Sequence, residues 1–233
     1  MEEIAVAAGT AVRLLASFDP ELYEIIGRSF AVSLSALALA AVVGLPLGAA
    51  LALYSFPGRR VAVVALNALM GLPPVVVGLV VYLMLSRSGP LGGLGWLFTI
   101  KAMIVAQWLL ITPIVVSLTR QVVEDLWEEY RETLTSLGAT RARAIPTLLR
   151  DGRHRLVTVI LAGFGRAIGE VGAVIVVGGN IAHATRIMTT AIALETSKGD
   201  LALALALGIV LLAMSLTING MAAWIDGAAS RAA

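Results

Sequence analysis

The sequence predicts an all-α membrane protein with about five transmembrane helices, an N-terminal helix lying along the interface and one large charged loop on the cytoplasmic side. Three observations carry that prediction. The 233 residues are 59% hydrophobic and only 14% charged, with mean hydropathy +0.93, whereas a soluble domain is about a quarter charged. The apolar residues gather in blocks close to the roughly 20 residues that a helical span needs. Arginine and lysine are spread unevenly between those blocks, as the orientation rule for membrane helices requires.

The elements follow in chain order. In the segment Ile4–Phe18, too short to span, Ile4, Ala8, Ala11, Val12, Leu15 and Phe18 recur at helical spacing, which predicts a helix in the interface plane. Glu2 and Glu3 precede it, and no basic start is present, so a cleavable signal is not expected and the spans themselves direct insertion. Asp19-Pro20 supplies a cap and a helix start. The apolar blocks are Phe30–Tyr54, Val61–Met84, Ala102–Thr119 (extendable to Val123), Leu156–Gly178 and Leu201–Ile225. Within the first, Gly44-Leu45-Pro46-Leu47-Gly48 has the small-xxx-small spacing that allows close helix approach. Pro73-Pro74 and Pro113 interrupt intrahelical hydrogen bonding, which a membrane helix tolerates where neighbours or water satisfy the freed carbonyls. Helix packing and the shaping of a pore explain these residues equally well.

Orientation comes from the basic residues. With the N-terminus outside, Arg59, Arg60, Arg120, Arg131, Arg141, Arg143, Arg150, Arg153, Arg155 and Arg231 fall on the inner side, against six basic residues on the outer side. The expectation is N-out and C-in. His154 and His183 then lie on opposite faces, and with no cysteine in the chain no metal site is expected.

The inner loop is patterned. Leu126, Trp127, Tyr130, Leu134 and Leu137 form an apolar stripe, opposite Glu124, Asp125, Glu128, Glu129 and Glu132. Beyond Gly138 the charge reverses, with Arg141, Arg143, Arg150, Arg153 and Arg155. A helix, a glycine break and a second short helix fit this order. Composition alone favours a solvated cytosolic loop anchored by positive charge.

The stretch from Glu132 through Leu137-Gly138-Ala139 resembles the EAA loop of ABC importer permeases, a glutamate followed six positions later by glycine. Thr133 and Leu134 stand where that motif has two alanines. Leu148-Leu149-Arg150-Asp151 stands where it has a hydrophobic-x-Leu-Pro element, without the proline. The series Phe164-Gly165-Arg166-Ala167-Ile168-Gly169-Glu170-Val171-Gly172-Ala173, then Val177-Gly178-Gly179-Asn180-Ile181, then Thr185-Arg186-Ile187-Met188-Thr189-Thr190-Ala191-Ile192 and Thr196-Ser197-Lys198-Gly199-Asp200, is similar to the tungstate-type permeases of the tungstate/molybdate/sulfate importer group. Leu14-Leu15-Ala16-Ser17-Phe18-Asp19-Pro20 and Gly71-Leu72-Pro73-Pro74-Val75 extend the resemblance over nearly the whole chain.

The resemblance implies a single permease domain over residues 1–233, with 1–24 an outer interfacial segment and 120–155 the cytoplasmic coupling loop. It implies a prokaryotic inner-membrane protein that pairs with a second copy of itself around a pore. Two ATP-binding subunits would dock inside, and a solute-binding protein would deliver tungstate or a similar oxyanion outside. The coupling helix around Glu132–Ile145 would sit in a groove of the ATPase, with Leu137, Ala139 and Ile145 buried there and Arg141 and Arg143 paired with acidic residues of that partner. The chain has no G-x-x-x-x-G-K-[ST] phosphate loop, so it is expected to be no enzyme and to hold no cofactor, ATP-Mg belonging to the partner.

Arg166 and Glu170 fall inside the fourth block, four residues apart and so on one helix face. Each would cost roughly 2.5–3.5 kcal/mol facing lipid at the bilayer centre, so both should face protein or a watery path. They are read either as a gate element or as a structural ion pair, and an arginine paired to its own glutamate makes a poor anion site. Gly178-Gly179-Asn180 ends the block, and 181–198 is expected to form a short outer helix folding back towards the pore. There Thr189 and Thr190 hydroxyls and helix N-terminal amides could meet an oxyanion, or the helix could be a capped surface element. Asn67, Gln107 and Asn219 are expected to bond between helices.

Molybdate, sulfate or another solute are alternative cargoes. An ion channel would need a selectivity constriction but no docking loop. A membrane-embedded enzyme would need convergent catalytic groups at one depth, and no nucleophile–base pair accompanies Arg166 and Glu170. The arginine cluster obeys the orientation rule, so no nucleic-acid partner is expected.

Overall fold

The computed structural model describes residues 9–10, 12–13 and 15–232, with side chains described as far as Trp224. Ile4, Ala8, Ala11 and Leu14, and so much of the expected interfacial helix, lie outside the described residues. All regular structure among the described residues is helical. The principal helices are α1 (Pro20–Leu53), α2 (Arg59–Met70), α3 (Pro74–Leu85), α4 (Ile100–Ser136), α5 (Arg141–Asp151), α6 (Arg153–Ile168), α7 (Gly172–Gly178), α8 (Met188–Lys198) and α9 (Leu201–Ala232), with one 3-10 turn at Gly92–Leu94.

Among the described residues three helices are long and apolar enough to cross a bilayer singly: α1, α4 and α9. The second and fourth predicted spans are each broken, α2 ending at Met70 before α3 and α6 at Ile168 before α7. The 12 residues of α3 reach about 18 Å, short of the ~30 Å hydrocarbon layer. Leu72 precedes two prolines, which removes two amide donors and forces Leu72 out of the helical region. Pro73 is extended (φ −62°, ψ 122°), and Pro74 opens α3 at its first position, where a missing amide costs nothing. Pro46 and Pro113, by contrast, are carried inside the unbroken α1 and α4.

Helix starts follow the sequence reading. Asp19 caps α1, its Oδ1 accepting the Leu22 amide at 3.0 Å. Helix α1 therefore begins ten residues before the predicted block, and residues 20–24 form its first turns. Helix α4 also outruns its block: the amphipathic stretch expected in the inner loop is a continuation of the third span to Ser136. The change from apolar to charged composition marks a change of solvent, not a break in the helix.

The chain divides into two compact units, Met1–Ala36, Pro73–Gln107 and Arg166–Thr217 forming the first, and Leu37–Leu72, Trp108–Gly165 and Ile218–Ala233 the second. In the first, α3 packs on α7: a Cβ on Gly78 would lie 2.8 Å from the Ala173 Cα, so only glycine permits this approach. In the second, the Gly44/Gly48 pair does what its spacing predicts. A Cβ on Gly48 would meet the Val116 carbonyl oxygen at 2.6 Å, so α1 and α4 touch backbone to backbone. Asn67 bonds between helices as expected, its Oδ1 accepting from Ser117 Oγ at 2.9 Å. Val75, Leu79, Leu83, Leu212 and Leu216 are exposed, an apolar surface that suits contact with lipid.

Candidate functional site

The second unit carries the expected coupling loop. Helix α4 ends in two crossed hydrogen bonds, Ala139 N to Leu134 O at 2.9 Å and Gly138 N to Thr135 O at 3.0 Å. This is a Schellman stop, with Gly138 in the left-handed conformation (φ 72°) that it requires. The loop glycine is thus the residue that turns the chain. Thr140 then caps α5, its Oγ1 accepting the Arg143 amide at 3.4 Å. Between the two helices Leu137 stands 78% exposed, an apolar side chain at a turn tip, with no neighbour within 4 Å of a Cβ built on Gly138. Glu132, Arg141 and Arg143 are exposed, and Ala139 and Ile145 are half-buried. All seven expected coupling residues lie along Glu132–Ile145, on the last turns of α4, the turn and the start of α5.

This protrusion is braced from behind by ion pairs that sequence reading did not find. The Glu124 carboxylate bridges Arg59 at the start of α2 and Arg120 one turn back on α4, and Asp125 pairs with Arg155 on α6. Arg59 Nε also donates to the Leu51 carbonyl at 2.8 Å. Glu124, Asp125 and the arginines were visible as charges of opposite sign, but no local spacing indicates a pair 65 residues apart.

The first unit carries the expected gate residues. Arg166 Nη1 donates to Glu170 Oε2 at 2.6 Å, as the four-residue spacing predicts. The two do not share one continuous helix, however: α6 stops at Ile168, and Glu170 sits in the break before α7. Its side chain is 3% exposed, against 35% for Arg166. Glu170 Oε1 accepts the Ala173 amide at 3.1 Å, which places the carboxylate at the start of α7, where negative charge is favoured. The Glu170 carbonyl accepts from Thr189 Oγ1 at 2.8 Å. One residue thereby ties α6, α7 and α8 together. Gln107, buried on α4, donates from Nε2 to the Ala167 carbonyl at 3.0 Å and so satisfies an acceptor freed where α6 ends.

The outer helix expected over 181–198 is α8, its first four residues buried. Its polar groups are engaged within the chain. Thr190 Oγ1 accepts the Ile187 amide and donates to the Ile187 carbonyl, both at 3.1 Å. The Met188 amide donates to Ser29 Oγ of α1 at 2.8 Å. Asn180, in the left-handed region (φ 50°), donates from Nδ2 to the Thr190 carbonyl at 3.2 Å, and its buried Oδ1 has no partner among the described residues. Arg166, Glu170, Asn180, Thr189 and Thr190 thus form one linked polar cluster. Ser29 belongs with them, and nothing in its apolar surroundings in the sequence marks it.

Comparison with known proteins gives the family of this chain. The profile for binding-protein-dependent transport system inner membrane components matches residues 44–231. The chain belongs to this family. Among relatives of this inner membrane component, a tungstate uptake system permease protein of Peptoclostridium acidaminophilum is 43% identical over 221 residues, covering 95% of this chain and 97% of the relative. A probable anion ABC transporter permease protein of Haloferax volcanii is 42% identical over 207 residues, covering 87% and 89%. A sulfate transport system permease protein of Escherichia coli is 33% identical over 186 residues, covering 76% and 66%. The family places this inner membrane component in the bilayer as part of a transport system, as the sequence predicts.

Proposed function

We propose that this chain is the pore subunit of an ATP-driven importer for tungstate or a similar tetrahedral oxyanion. The carrying observation is the identity of 43%, over nearly the full length of both chains, to a tungstate uptake permease. Sulfate permeases among the relatives keep sulfate as the second reading. A second copy would complete the pore, a solute-binding protein would deliver the anion outside, and two ATP-binding subunits would sit inside, holding ATP and Mg²⁺. The N-terminus would face out and the C-terminus in, with the basic residues around α5 on the cytoplasmic side.

In this reading the turn at Leu137-Gly138-Ala139 is the knob that enters a groove of the ATPase. An exposed leucine is the kind of anchor that helix-in-groove docking uses, and Arg141 and Arg143 flank it as positive charges for an acidic rim. Glu132 would help orient the knob and Ile145 would close against the groove. The ion pairs of Glu124 and Asp125 stiffen the base of the knob, so that a push at its tip moves α4 instead of bending the loop. The Arg166–Glu170 cluster serves as a gate hinge: a carboxylate holding the broken fourth span to α8, with Asn180, Thr189 and Thr190 fixing the far side. Neither threonine hydroxyl is offered to the anion directly.

The test is reconstitution with the ATP-binding subunit and the binding protein, followed by ATP hydrolysis with tungstate, molybdate or sulfate. Stimulation is expected only when the binding protein and tungstate are both present. Stimulation by sulfate alone would move the assignment to the second reading. Failure of any ATP-binding subunit to associate with the folded chain would remove the knob's role.

A further inference from the structure

Two adjoining hollows in the second unit share one side chain. The first, about 550 Å³, lies between the end of α4 and the α5–α6 corner, and Arg150, Arg153 and His154 line it along with Tyr130 and Leu134. The second, about 330 Å³, is a groove walled by Leu45, Leu149, Leu156, Val157, Ile160 and Leu161, with Arg153 the one charged residue at its edge among the described residues. An apolar groove that opens onto a basic hollow has the two halves of an amphiphile.

Neither Arg150 nor Arg153 takes part in an ion pair among the described residues. Arg153 Nε lies 3.4 Å from His154 Nε2, and both arginines are exposed. Asp151 lines the first hollow beside Tyr130, where its negative charge raises the pKa of the Tyr130 hydroxyl. Two arginines therefore face the hollow against one carboxylate, with no ion pair to it among the described residues, while the stem of Arg153 lies along apolar surface, as a snorkelling arginine does. A free oxyanion would have no use for the leucine-lined groove, and an uncharged acyl chain would have none for two arginines.

We propose that the pair of hollows holds one anionic phospholipid of the cytoplasmic leaflet, its phosphate against Arg153 and Arg150 and one acyl chain along Leu45, Leu156, Val157 and Ile160. The site rests on the orientation proposed above, which puts α5 and the start of α6 at the inner surface. It lies directly behind the knob, so an occupied site would steady the corner from which the knob projects.

The chain has no cysteine, so single cysteines report cleanly. The full chain, purified in detergent, would be titrated with phosphatidylglycerol and with phosphatidylcholine, and the retained lipid counted by native mass spectrometry. Preferential retention of phosphatidylglycerol is expected. It should fall roughly fivefold in R153Q and more than about tenfold in R150Q/R153Q, since each basic residue near an anionic surface supports binding, whereas R153K keeps most of it. V157W, which fills the groove while keeping both arginines, should lower retention of both lipids. Helix content by circular dichroism checks that each variant is folded, and V157W and R153K decide the matter if the double variant is not. Equal retention of the two lipids would overturn the proposal. So would displacement by inorganic phosphate, which would indicate a free-anion site. A disulfide between Val157→Cys in one copy and its counterpart in a second would show the groove to be covered by that copy instead. A membrane-impermeant thiol reagent on Ser136→Cys in intact cells reads the orientation separately, so failure of the lipid site and failure of the topology are distinguishable.

Discussion

Glu170 concentrates more of the first unit's polar chemistry than any residue near it. Its carboxylate holds Arg166 and the Ala173 amide, and its carbonyl holds Thr189. Removing Arg166 leaves a buried carboxylate with one partner fewer. We expect Arg166→Ala to cost about 2–3 kcal/mol, less than the 3–5 of a fully buried pair because this arginine reaches water. In a Glu170→Ala background the same change should cost under about 1 kcal/mol, and chemical unfolding of the four proteins in detergent measures the difference. Equal costs in both backgrounds would mean that the 2.6 Å contact carries no energy. Thr189→Val tests the other arm: it leaves the Glu170 carbonyl without its donor, a loss of about 1–3 kcal/mol that the same unfolding curves would show. The Arg166–Glu170 pair was legible because four residues is a helical repeat. The bond from Ser29 to the Met188 amide was not, because 159 residues separate the partners and a lone serine in an apolar helix has many other uses.

At the scale of elements, the five apolar blocks correspond, among the described residues, to three helices long enough to span and two bent helix pairs, because bilayer thickness imposes a length that composition reveals. The breaks were less visible. Pro73-Pro74 announced one of them, but Gly169-Glu170-Val171 contains no proline, and a buried charge there looked like part of a helix face. The Gly78–Ala173 approach fixes how the two half-helices meet. Gly78→Ala should therefore cost about 1–3 kcal/mol, since the obstacle is backbone and cannot rotate away, and a lowered Tm in detergent would register it. An unchanged Tm would show that α3 and α7 are free to part. The knob behaves oppositely. A side chain at Gly138 meets open space, so Gly138→Glu should cost only the left-handed strain of about 1–2 kcal/mol while abolishing ATP-driven uptake. Normal uptake by that variant would remove the knob from the coupling path.

Across the whole molecule the broken spans set an order of events. Helix α3 is too short to cross the bilayer alone, and the surface against which Gly78 packs belongs to Ala173, about 95 residues later in the chain. At a synthesis rate of roughly 5–20 residues per second, α3 waits on the order of 5–20 s for its neighbour. A ribosome-bound chain arrested before residue 172 should therefore hold α3 in an environment where a protease or a lipid-soluble label reaches it, and a chain arrested after α7 should not. The same glycine that lets two half-helices touch in the finished protein makes the membrane's insertion machinery, for that interval, the caretaker of an unfinished span.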